Sequence, residues 1–230
     1  MNTESKRTRL VVGVALLASF FAVLFAMFMP LFDGKNALNY MDALYNSISK
    51  DSAYYIPELR ETVAGKQLER VELALTFQDA RQAELAALLL GKTGATVRSM
   101  GSELSVSGDL ERILVGCLDD SDLLFRNEGA SIEAKYGRGG QEAVRGWWTT
   151  LKAMDKELKR QSYFAEAAVV LTVKKKAVEC AYNFHGIEPR RIADNLGVVL
   201  FSLVFYVVYT VWYGYAIILI FEGCGLKLSH

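Results

Sequence analysis

The chain has 230 residues with 26 basic and 26 acidic side chains, so its formal net charge is zero. This balance argues against a nucleic-acid-binding protein, which needs a basic excess on one face. Hydrophobic residues make up 52% of the chain, only slightly above the usual range of globular domains. They are concentrated towards the two ends, so the average hides two apolar segments and a more polar middle.

Two long uncharged segments predict two transmembrane helices. Residues 10–32 and residues 196–221 contain no charged side chain. A helix over the first segment measures about 34 Å at roughly 1.5 Å per residue, enough to cross a hydrocarbon core of about 30 Å. We therefore predict spans at 10–32 and 194–221, joined by a middle domain at 33–193.

The first segment is predicted to be an uncleaved anchor. Its basic flank resembles the start of a signal peptide, but the apolar core of a signal peptide has only about 7–15 residues. No cleavage site of the small-x-small type follows, because the segment ends in Met27-Phe28-Met29-Pro30. The segment therefore fits a membrane anchor better than a removed leader.

The charges beside the two spans disagree about the side that the middle domain faces. The first flank places this domain outside the cytoplasm, whereas the second places it inside. Because the first helix usually dominates and long loops translocate regardless of charge, we predict a cell-membrane protein with tails 1–9 and 222–230 in the cytoplasm and an extracytoplasmic domain. The basic residues expected at the membrane surface are Lys6, Arg7, Arg9, Arg190 and Arg191.

The first part of the middle domain predicts two juxtamembrane helices and then a mixed unit. Helical spacing of apolar residues within 33–66, together with Pro57 at a favoured first helical position, predicts the two helices. Between 69 and 128 the pattern predicts strand, helix, strand, strand and helix, with a tight turn at Gly101-Ser102 and a helix cap at Asp109. This order fits a ferredoxin-like arrangement, which by itself implies no function.

The last part of the domain, 141–185, predicts a helix followed by a hairpin. An amphipathic helix is predicted over 141–160. Alternation over 178–185 predicts a strand of a hairpin that completes the sheet, while a continuous helix through 162–185 is the alternative, because alanine and lysine also favour helix. The predicted fold class is thus a membrane α+β protein, with two transmembrane helices flanking a ferredoxin-like soluble domain.

Two glycine-containing segments resemble phosphate-binding loops only in part. Gly91-Lys92-Thr93 has Ala86 where the motif needs glycine, and its order of helix and strand is reversed. The segment Gly137-x-Gly139-Gly140 precedes a helix and offers backbone amides to an anion, but no strand signal comes before it. We predict a helix end for the first and a flexible connector for the second.

The candidate ligands for metals are also incomplete. Asp119, Asp120 and Asp122 lack the glycine and glutamate of a calcium-binding EF-hand loop, so we predict a helix cap with a solvated acidic turn. No set of histidine, cysteine and aspartate has metal-ligand spacing. We predict no catalytic residue, no cofactor and no metal.

Three cysteines, Cys117, Cys180 and Cys224, stand far apart without a CxxC pair. An extracytoplasmic domain would allow a disulfide between Cys117 and Cys180. Two buried free thiols are the alternative, because free cysteine is among the most buried residue types.

The two spans carry the clearest interaction pattern. Small residues recur at every fourth position of the first span, which allows another helix to approach closely. A polar and aromatic stripe follows the second span, and its hydroxyls prefer a partner to hydrocarbon. Large residues of one helix are expected to pack over the small ridge of the other, or over a partner. The predicted helix–helix interface residues are Ala15, Ala18, Ser19, Ala22, Ala26, Ser202, Tyr206, Tyr209 and Tyr213.

These observations predict a non-catalytic, two-pass membrane protein that serves as an accessory, assembly or scaffold subunit of a membrane complex. Its expected partners are membrane lipid and other membrane proteins or a second copy of the chain, and not nucleic acid. The first alternative is an extracytoplasmic ligand-binding or sensing module that acts through a separate partner. The second is a membrane enzyme that uses scattered residues of the domain.

Overall fold

The structure, a computed structural model, describes residues 3–32, 34–66 and 68–226. The chain divides into two units. Unit 1 combines the residues up to Ser49 with those from Pro189 onward, and unit 2 runs from Lys50 to Glu188. The outermost parts of the predicted tails, 1–2 and 227–230, lie outside the described residues.

In chain order the elements are α1 (Thr3–Phe28), α2 (Ala37–Ser52), α3 (Ile56–Ala64), β1 (Arg70–Thr76), α4 (Ala80–Lys92), β2 (Thr96–Met100), β3 (Glu103–Asp109), α5 (Leu110–Phe125), α6 (Gly129–Tyr136), α7 (Gly140–Arg160), α8 (Phe164–Val173), a π-helical turn (Lys174–Glu179), α9 (Cys180–Phe184), a 3₁₀ turn (Ile192–Asn195) and α10 (Leu196–Gly223).

Helices α1 and α10 are both long and apolar enough to cross a membrane, with mean hydropathies of 2.7 and 2.0 over their most apolar stretches. They pack side by side. Arg9 pairs with Glu222 near one end, and Phe20 stacks on Tyr209 further along. The residue number increases along α1 while that of the contacting residue on α10 decreases, so the two helices are antiparallel. The start of α1 and the end of α10 therefore lie at the same end of the pair.

Helix α2 adds an amphipathic helix to unit 1. Leu44 and Ile48, one turn apart, are buried against Val199 of α10. The hydroxyls of Tyr45 and Ser202 lie 2.6 Å apart. The helix predicted after the first span is therefore present, but most of it groups with the apolar helices rather than with the middle domain.

Unit 2 contains a three-stranded antiparallel sheet in the order β1-β3-β2. Leu73 pairs with Val106, and both side chains are buried. Alternate residues of β1 point into the core, as period-two alternation dictates for a strand with one buried face. The order strand, helix, strand, strand and helix is the one predicted for 69–128.

Helix α7 is the central element of unit 2. It contacts β1, α4, α5, α6, α8 and α9. Trp147, Leu151, Met154 and Leu158 form its buried stripe at spacings of four, three and four residues, which is the periodicity of a helix with one apolar face. The sheet thus packs against a helix that the amphipathic pattern had located.

The hairpin predicted within 162–185 is wrong, because this segment is helical through α8, the π-helical turn and α9. The alternative of a helix is the correct one. Its buried residues include Ala167, Val170, Ala177 and Ala181. They follow each other at spacings of three, seven and four residues, which is the periodicity of one helix face. This longer period outweighs the short alternation near the end of the segment, and the alanines favour helix.

The ferredoxin-like arrangement is therefore not confirmed. Its last strand would come from 178–185, of which 178–184 is helical, so the described part of unit 2 has a sheet of three strands. What the structure shows is a helix-rich mixed fold with a small antiparallel sheet and two long apolar helices.

Asn127 ties the two chain ends of unit 2 together. Its amide donates to the carbonyl of Ile187 at 3.2 Å and accepts from the backbone N–H of Gly186 at 2.7 Å. Lys50 donates to the same Ile187 carbonyl at 2.5 Å. Burial lowers the pKa of Lys50, with Glu188 opposing the shift. Asn127 has φ of +64°, a conformation that asparagine tolerates better than most residues.

Candidate functional site

The seam between α1 and α10 is the first candidate site. A Cβ atom added at Gly13 would lie 2.9 Å from the backbone nitrogen of Ile220, so only glycine permits this approach. Gly223 is equally close, since its added Cβ would lie 2.7 Å from the backbone nitrogen of Leu10. The two backbones therefore come together near the chain ends, as small residues permit in membrane helix pairs.

Phe20 fills the middle of this seam. Its ring stacks on Tyr209 with the centroids 4.3 Å apart and lies 5.1 Å from the ring of Tyr213. Trp212 meets it edge-on at 6.5 Å. Such aromatic pairs contribute about 0.5–1.5 kcal/mol each beyond area burial. Phe20, Gly13 and Gly223 were not among the predicted interface residues.

The tyrosine stripe predicted on α10 lies only partly in the seam. Tyr209 and Tyr213 contact the ring that fills it. Ser202 instead lies against Tyr45 and also donates to the carbonyl of Val199 at 2.8 Å. Tyr206 is exposed. The stripe is thus divided between α1, α2 and the outer surface of unit 1.

The small-residue ridge predicted on α1 does not face α10. Ala15, Ala18 and Ala22 are exposed, and Ser19 and Ala26 are half-buried. Of the two alternatives for this ridge, packing under the second span is not what the structure shows, because the seam lies on another side of α1. Packing against a partner stays a prediction. The ridge remains on the outer surface of unit 1.

The basic residues predicted at the membrane surface lie at both ends of the helix pair. Arg9, near the start of α1, forms an ion pair with Glu222 near the end of α10. Arg190 and Arg191 precede the other end of α10 and are exposed. Because Glu222 neutralises Arg9, the chain-end side has fewer unpaired cations than its sequence suggests. The remaining two predicted cations are the half-buried Lys6 and the exposed Arg7.

A buried carboxylate in unit 2 is the second candidate site. Asp120 of α5 is fully buried and accepts hydrogen bonds from Lys135 at 2.8 Å, Tyr136 at 2.6 Å and the Trp147 indole at 2.7 Å. Burial, and then the bond to Asp120, raise the pKa of Tyr136 well above its ordinary value, so its hydroxyl stays a donor. A buried charge with three donors is satisfied, and it joins α5, α6 and α7.

The acids beside it are paired, so the predicted solvated acidic turn is wrong. Asp119 binds Arg60 at 2.6 Å. Asp122 accepts from the hydroxyl of Tyr54 at 2.8 Å and from Arg126 at 3.0 Å. These acids lie within α5 and anchor it to its neighbours. Within the described residues, no group of three or more His, Cys, Asp or Glu side chains is arranged to hold a metal.

The cysteines are free thiols, so the disulfide that the sequence allowed between Cys117 and Cys180 is not formed in the structure. Burial raises the pKa of Cys117 well above its ordinary value, and the carboxylate of Asp120 acts in the same direction. Burial also raises the pKa of Cys180. Protonated thiols of this kind are poor nucleophiles.

The segments that resemble phosphate-binding loops are helix ends. Thr93 caps the end of α4, and its hydroxyl donates to the carbonyl of Leu90 at 2.8 Å. Gly137 ends α6 with φ of +65°, and Gly139 precedes α7. Neither segment follows a strand, so neither has the geometry of a nucleotide loop.

A cleft of about 690 Å³ opens between the end of β1, α4 and α7, and it is the third candidate site. Both acids that line it are already engaged. Asp79 accepts from the backbone N–H of Gln82 at 2.8 Å and thereby caps α4, and Glu142 lies 3.5 Å from Arg81. The charge left over in the cleft is therefore basic.

That charge comes from one face of α7. Arg145, Lys152 and Lys156 line the cleft, and none of them forms an ion pair with another described residue. They follow each other at spacings of seven and four residues, which places them on one side of the helix. They form the basic stripe of the cleft.

Trp148 borders the same cleft and is held in place by charged groups. Its indole N–H donates to Glu179 at 2.9 Å. The ammonium groups of Lys152 and Lys174 lie 5.2 and 5.1 Å from its ring centroid, within the range of cation–π attraction. Lys174 and Glu179 bound the π-helical turn, a feature often found at functional sites.

The outer edge of β1 leads into the cleft. On this edge Gln161 donates to the carbonyl of Glu72 at 2.9 Å, and the backbone of Ala74 helps to lower the pKa of Glu157. Main-chain groups of alternate residues point to the same side of a strand, so those of Thr76 point outward as well. Thr76 lines the cleft, and no hydrogen bond to its N–H or carbonyl on this edge comes from the described residues.

No known family model, curated protein or solved structure matches this chain. Its function is therefore argued from the geometry of the three candidate sites.

Glu157, which covers the edge of β1, makes the stability of unit 2 depend on pH. Hydrogen bonds from Arg160, and then from Gln161, hold its pKa at about 2, below the ordinary 4.5. The ionised form is thus favoured by folding, and its contribution is complete above pH 4.5 and is lost as the pH falls to 2. Because Arg160 is exposed to solvent, we expect about 1–2 kcal/mol rather than the full shift.

Unfolding of the full chain in detergent by urea at pH 6 and pH 2.5 measures this contribution. Glu157→Gln is expected to lower the free energy of unfolding at pH 6 and to flatten its fall with acid. Glu84→Gln, at an exposed position whose side chain forms no ion pair with another described residue, is the control. An unchanged acid dependence in the Glu157 variant would show that other carboxylates set it.

Proposed function

We propose that the chain is a two-pass membrane protein that serves, without catalysis, as an accessory, assembly or scaffold subunit of a larger membrane complex. In this proposal α1 and α10 cross the cell membrane, both chain ends lie in the cytoplasm, and unit 2 lies outside it. Unit 2 would then be a ferredoxin-related domain in which the segment expected to form the last strand is helical. Its partners are lipid and other membrane proteins.

Membrane insertion is supported by how little of the two apolar helices is buried. Within the most apolar stretch of each helix, only 11% of α1 and 6% of α10 is buried by the protein. A helix that is hydrophobic all round belongs either in a core or in a bilayer, and these two are not in a core. Their antiparallel pairing, with ion-paired Arg9 and Glu222 at the chain-end side, is the arrangement of a two-pass hairpin.

The outward ridge of α1 is the observation that carries the subunit role. Ala15, Ala18 and Ala22 are exposed although α10 packs along the same helix. In a bilayer, helices associate through such small-residue ridges, because they let backbones approach and make van der Waals contact. The intrachain seam uses other residues, so this ridge stays free for a helix of another protein.

Affinity purification of the full chain in mild detergent tests the proposal. We expect proteins to co-purify in stoichiometric amounts with the unaltered chain and to be lost with the double variant Ala18→Ile and Ala22→Ile, which fills the ridge. The control variant, Val207→Leu and Val211→Leu, enlarges two exposed side chains of α10 and should retain the partner.

Recovery of a monomer alone from the unaltered chain would contradict the subunit role. Loss of the partner in the control, with retention in the ridge variant, would place the interface on α10 instead.

The cleft favours a second candidate function, a ligand-binding or sensing module that acts through a separate partner. Its volume of about 690 Å³ falls within the usual range of small-molecule sites. Under this alternative, a small anion should raise the melting temperature of the full chain in the absence of any partner. Under the subunit role, it should not.

A further inference from the structure

We propose that the cleft between β1, α4 and α7 binds an extended acidic segment of a partner protein, pairing its backbone with β1 at Thr76 and its carboxylates with the basic stripe. This inference rests on the proposed subunit role and names the chemistry of the partner.

The sign of the charge selects an acidic ligand. Arg145, Lys152 and Lys156 have no ion-pair partner among the described residues that line the cleft, whereas Asp79 and Glu142 are engaged. Arginine and lysine side chains at the rim of a site steer oppositely charged partners and suppress others of like charge.

The length of the stripe selects an extended ligand over a compact one. Arg145 and Lys156 are eleven positions apart on α7, so they lie about 16 Å apart along the helix axis. A single phosphate cannot span that distance. An extended peptide advances about 3.3 Å per residue, so about five residues cover it.

Among extended anions, the unpaired main-chain groups on the edge of β1 favour a peptide as the ligand. Gln161, directly after α7, covers this edge at Glu72, whereas no hydrogen bond from the described residues reaches the edge at Thr76, where it meets the cleft. An unpaired strand edge is a template for another strand, and peptides that add to it gain main-chain hydrogen bonds. Polyphosphate and other inorganic chains offer no matching N–H and carbonyl groups.

Fluorescence anisotropy with the full chain in detergent tests the inference. The probe is a fluorescein-labelled peptide, Glu-Thr-Glu-Thr-Glu, blocked at both ends. Parallel titrations use the same peptide with lysine for glutamate, the same peptide with N-methylated amides, and tripolyphosphate as an unlabelled competitor. We expect saturable binding of the acidic peptide, about tenfold weaker binding after N-methylation, and none of the lysine peptide.

Two double variants of equal charge change locate the site. Arg145→Gln with Lys152→Gln is expected to weaken peptide binding by about tenfold or more. Arg98→Gln with Lys175→Gln, which removes two exposed cations away from the cleft, should leave it unchanged. Circular dichroism of each variant checks that the exposed substitutions leave the fold intact.

Several outcomes would overturn the inference. They are the absence of saturable peptide binding up to millimolar concentration, equal losses in the two double variants, and equal binding of the N-methylated peptide with full displacement by tripolyphosphate. The last would assign the cleft to small anions. If the peptide does not bind but affinity purification still recovers a partner that depends on the α1 ridge, the inference about the cleft is overturned and the subunit role is not. If the peptide binds but no partner co-purifies, the subunit role is overturned and the cleft remains a peptide site.

Discussion

Replacing Asp120 by alanine is expected to destabilise unit 2 by about 3–5 kcal/mol, because it leaves the donors of three side chains without their acceptor. Two of them, the Tyr136 hydroxyl and the Trp147 indole, are buried, and the third is the ammonium group of Lys135. A loss of this size is a large part of the 5–15 kcal/mol that stabilises a typical domain. Urea unfolding of the full chain in detergent, followed by near-ultraviolet circular dichroism, measures it.

A neighbouring acid supplies the control for this change. Asp119→Ala breaks only a solvent-exposed ion pair with Arg60, so the expected loss is about 0–1 kcal/mol. Asp120→Asn keeps one acceptor oxygen and should fall between the two. Equal losses from Asp119→Ala and Asp120→Ala would show that the buried carboxylate does not hold α5, α6 and α7 together.

Leucine in place of Gly13 and Gly223 is expected to separate α1 from α10. The added side chains would start less than 3 Å from the opposite backbone, and overpacking of this kind costs about 1–3 kcal/mol per site. Oxidative crosslinking of Phe20→Cys with Tyr209→Cys, in a Cys224→Ser background, reports the pairing. The crosslinked fraction should fall about tenfold in the leucine variants.

Gly214 provides the matched control within α10. A Cβ atom added there meets nothing within 4 Å, so Gly214→Leu should leave the crosslinked fraction unchanged. A similar fall for Gly214→Leu would indicate a general effect of added bulk on the membrane helices. No fall for the seam variants would show that the helices do not meet at these glycines.

Length and the absence of charge were enough to predict the two apolar helices, but not the side on which they meet. Every face of α1 is apolar, so periodicity does not distinguish the exposed ridge at Ala18 and Ala22 from the seam at Gly13 and Phe20. On the α1 side, the seam combines a very small residue, Gly13, with a very large one, Phe20. Its complementarity to Gly223 and Tyr209 exists only when both helices are in place.

Within unit 2, local sequence patterns predicted the helices and strands better than the tertiary contacts between them. Alternation located β1, whose side chains face the core on one side only. Alternation near 178–185 led to the wrong prediction of a strand, because so short a run of apolar residues also fits one face of a helix. The alanines that favour a helix lie mostly upstream of this run. The role of Asp120 was hidden, since Lys135 and Trp147 follow it by 15 and 27 positions and meet it only in the folded unit.

Photocrosslinking in cell membranes tests the proposed subunit role most directly. A photoreactive phenylalanine analogue is placed at the exposed Phe25, on the same side of α1 as Ala18 and Ala22, and in separate chains at Phe20 in the seam and at Val211 on the exposed side of α10. The account predicts a discrete crosslink from position 25 to another membrane protein, an intrachain product from position 20 and lipid adducts from position 211. Lipid adducts alone from position 25 would contradict it.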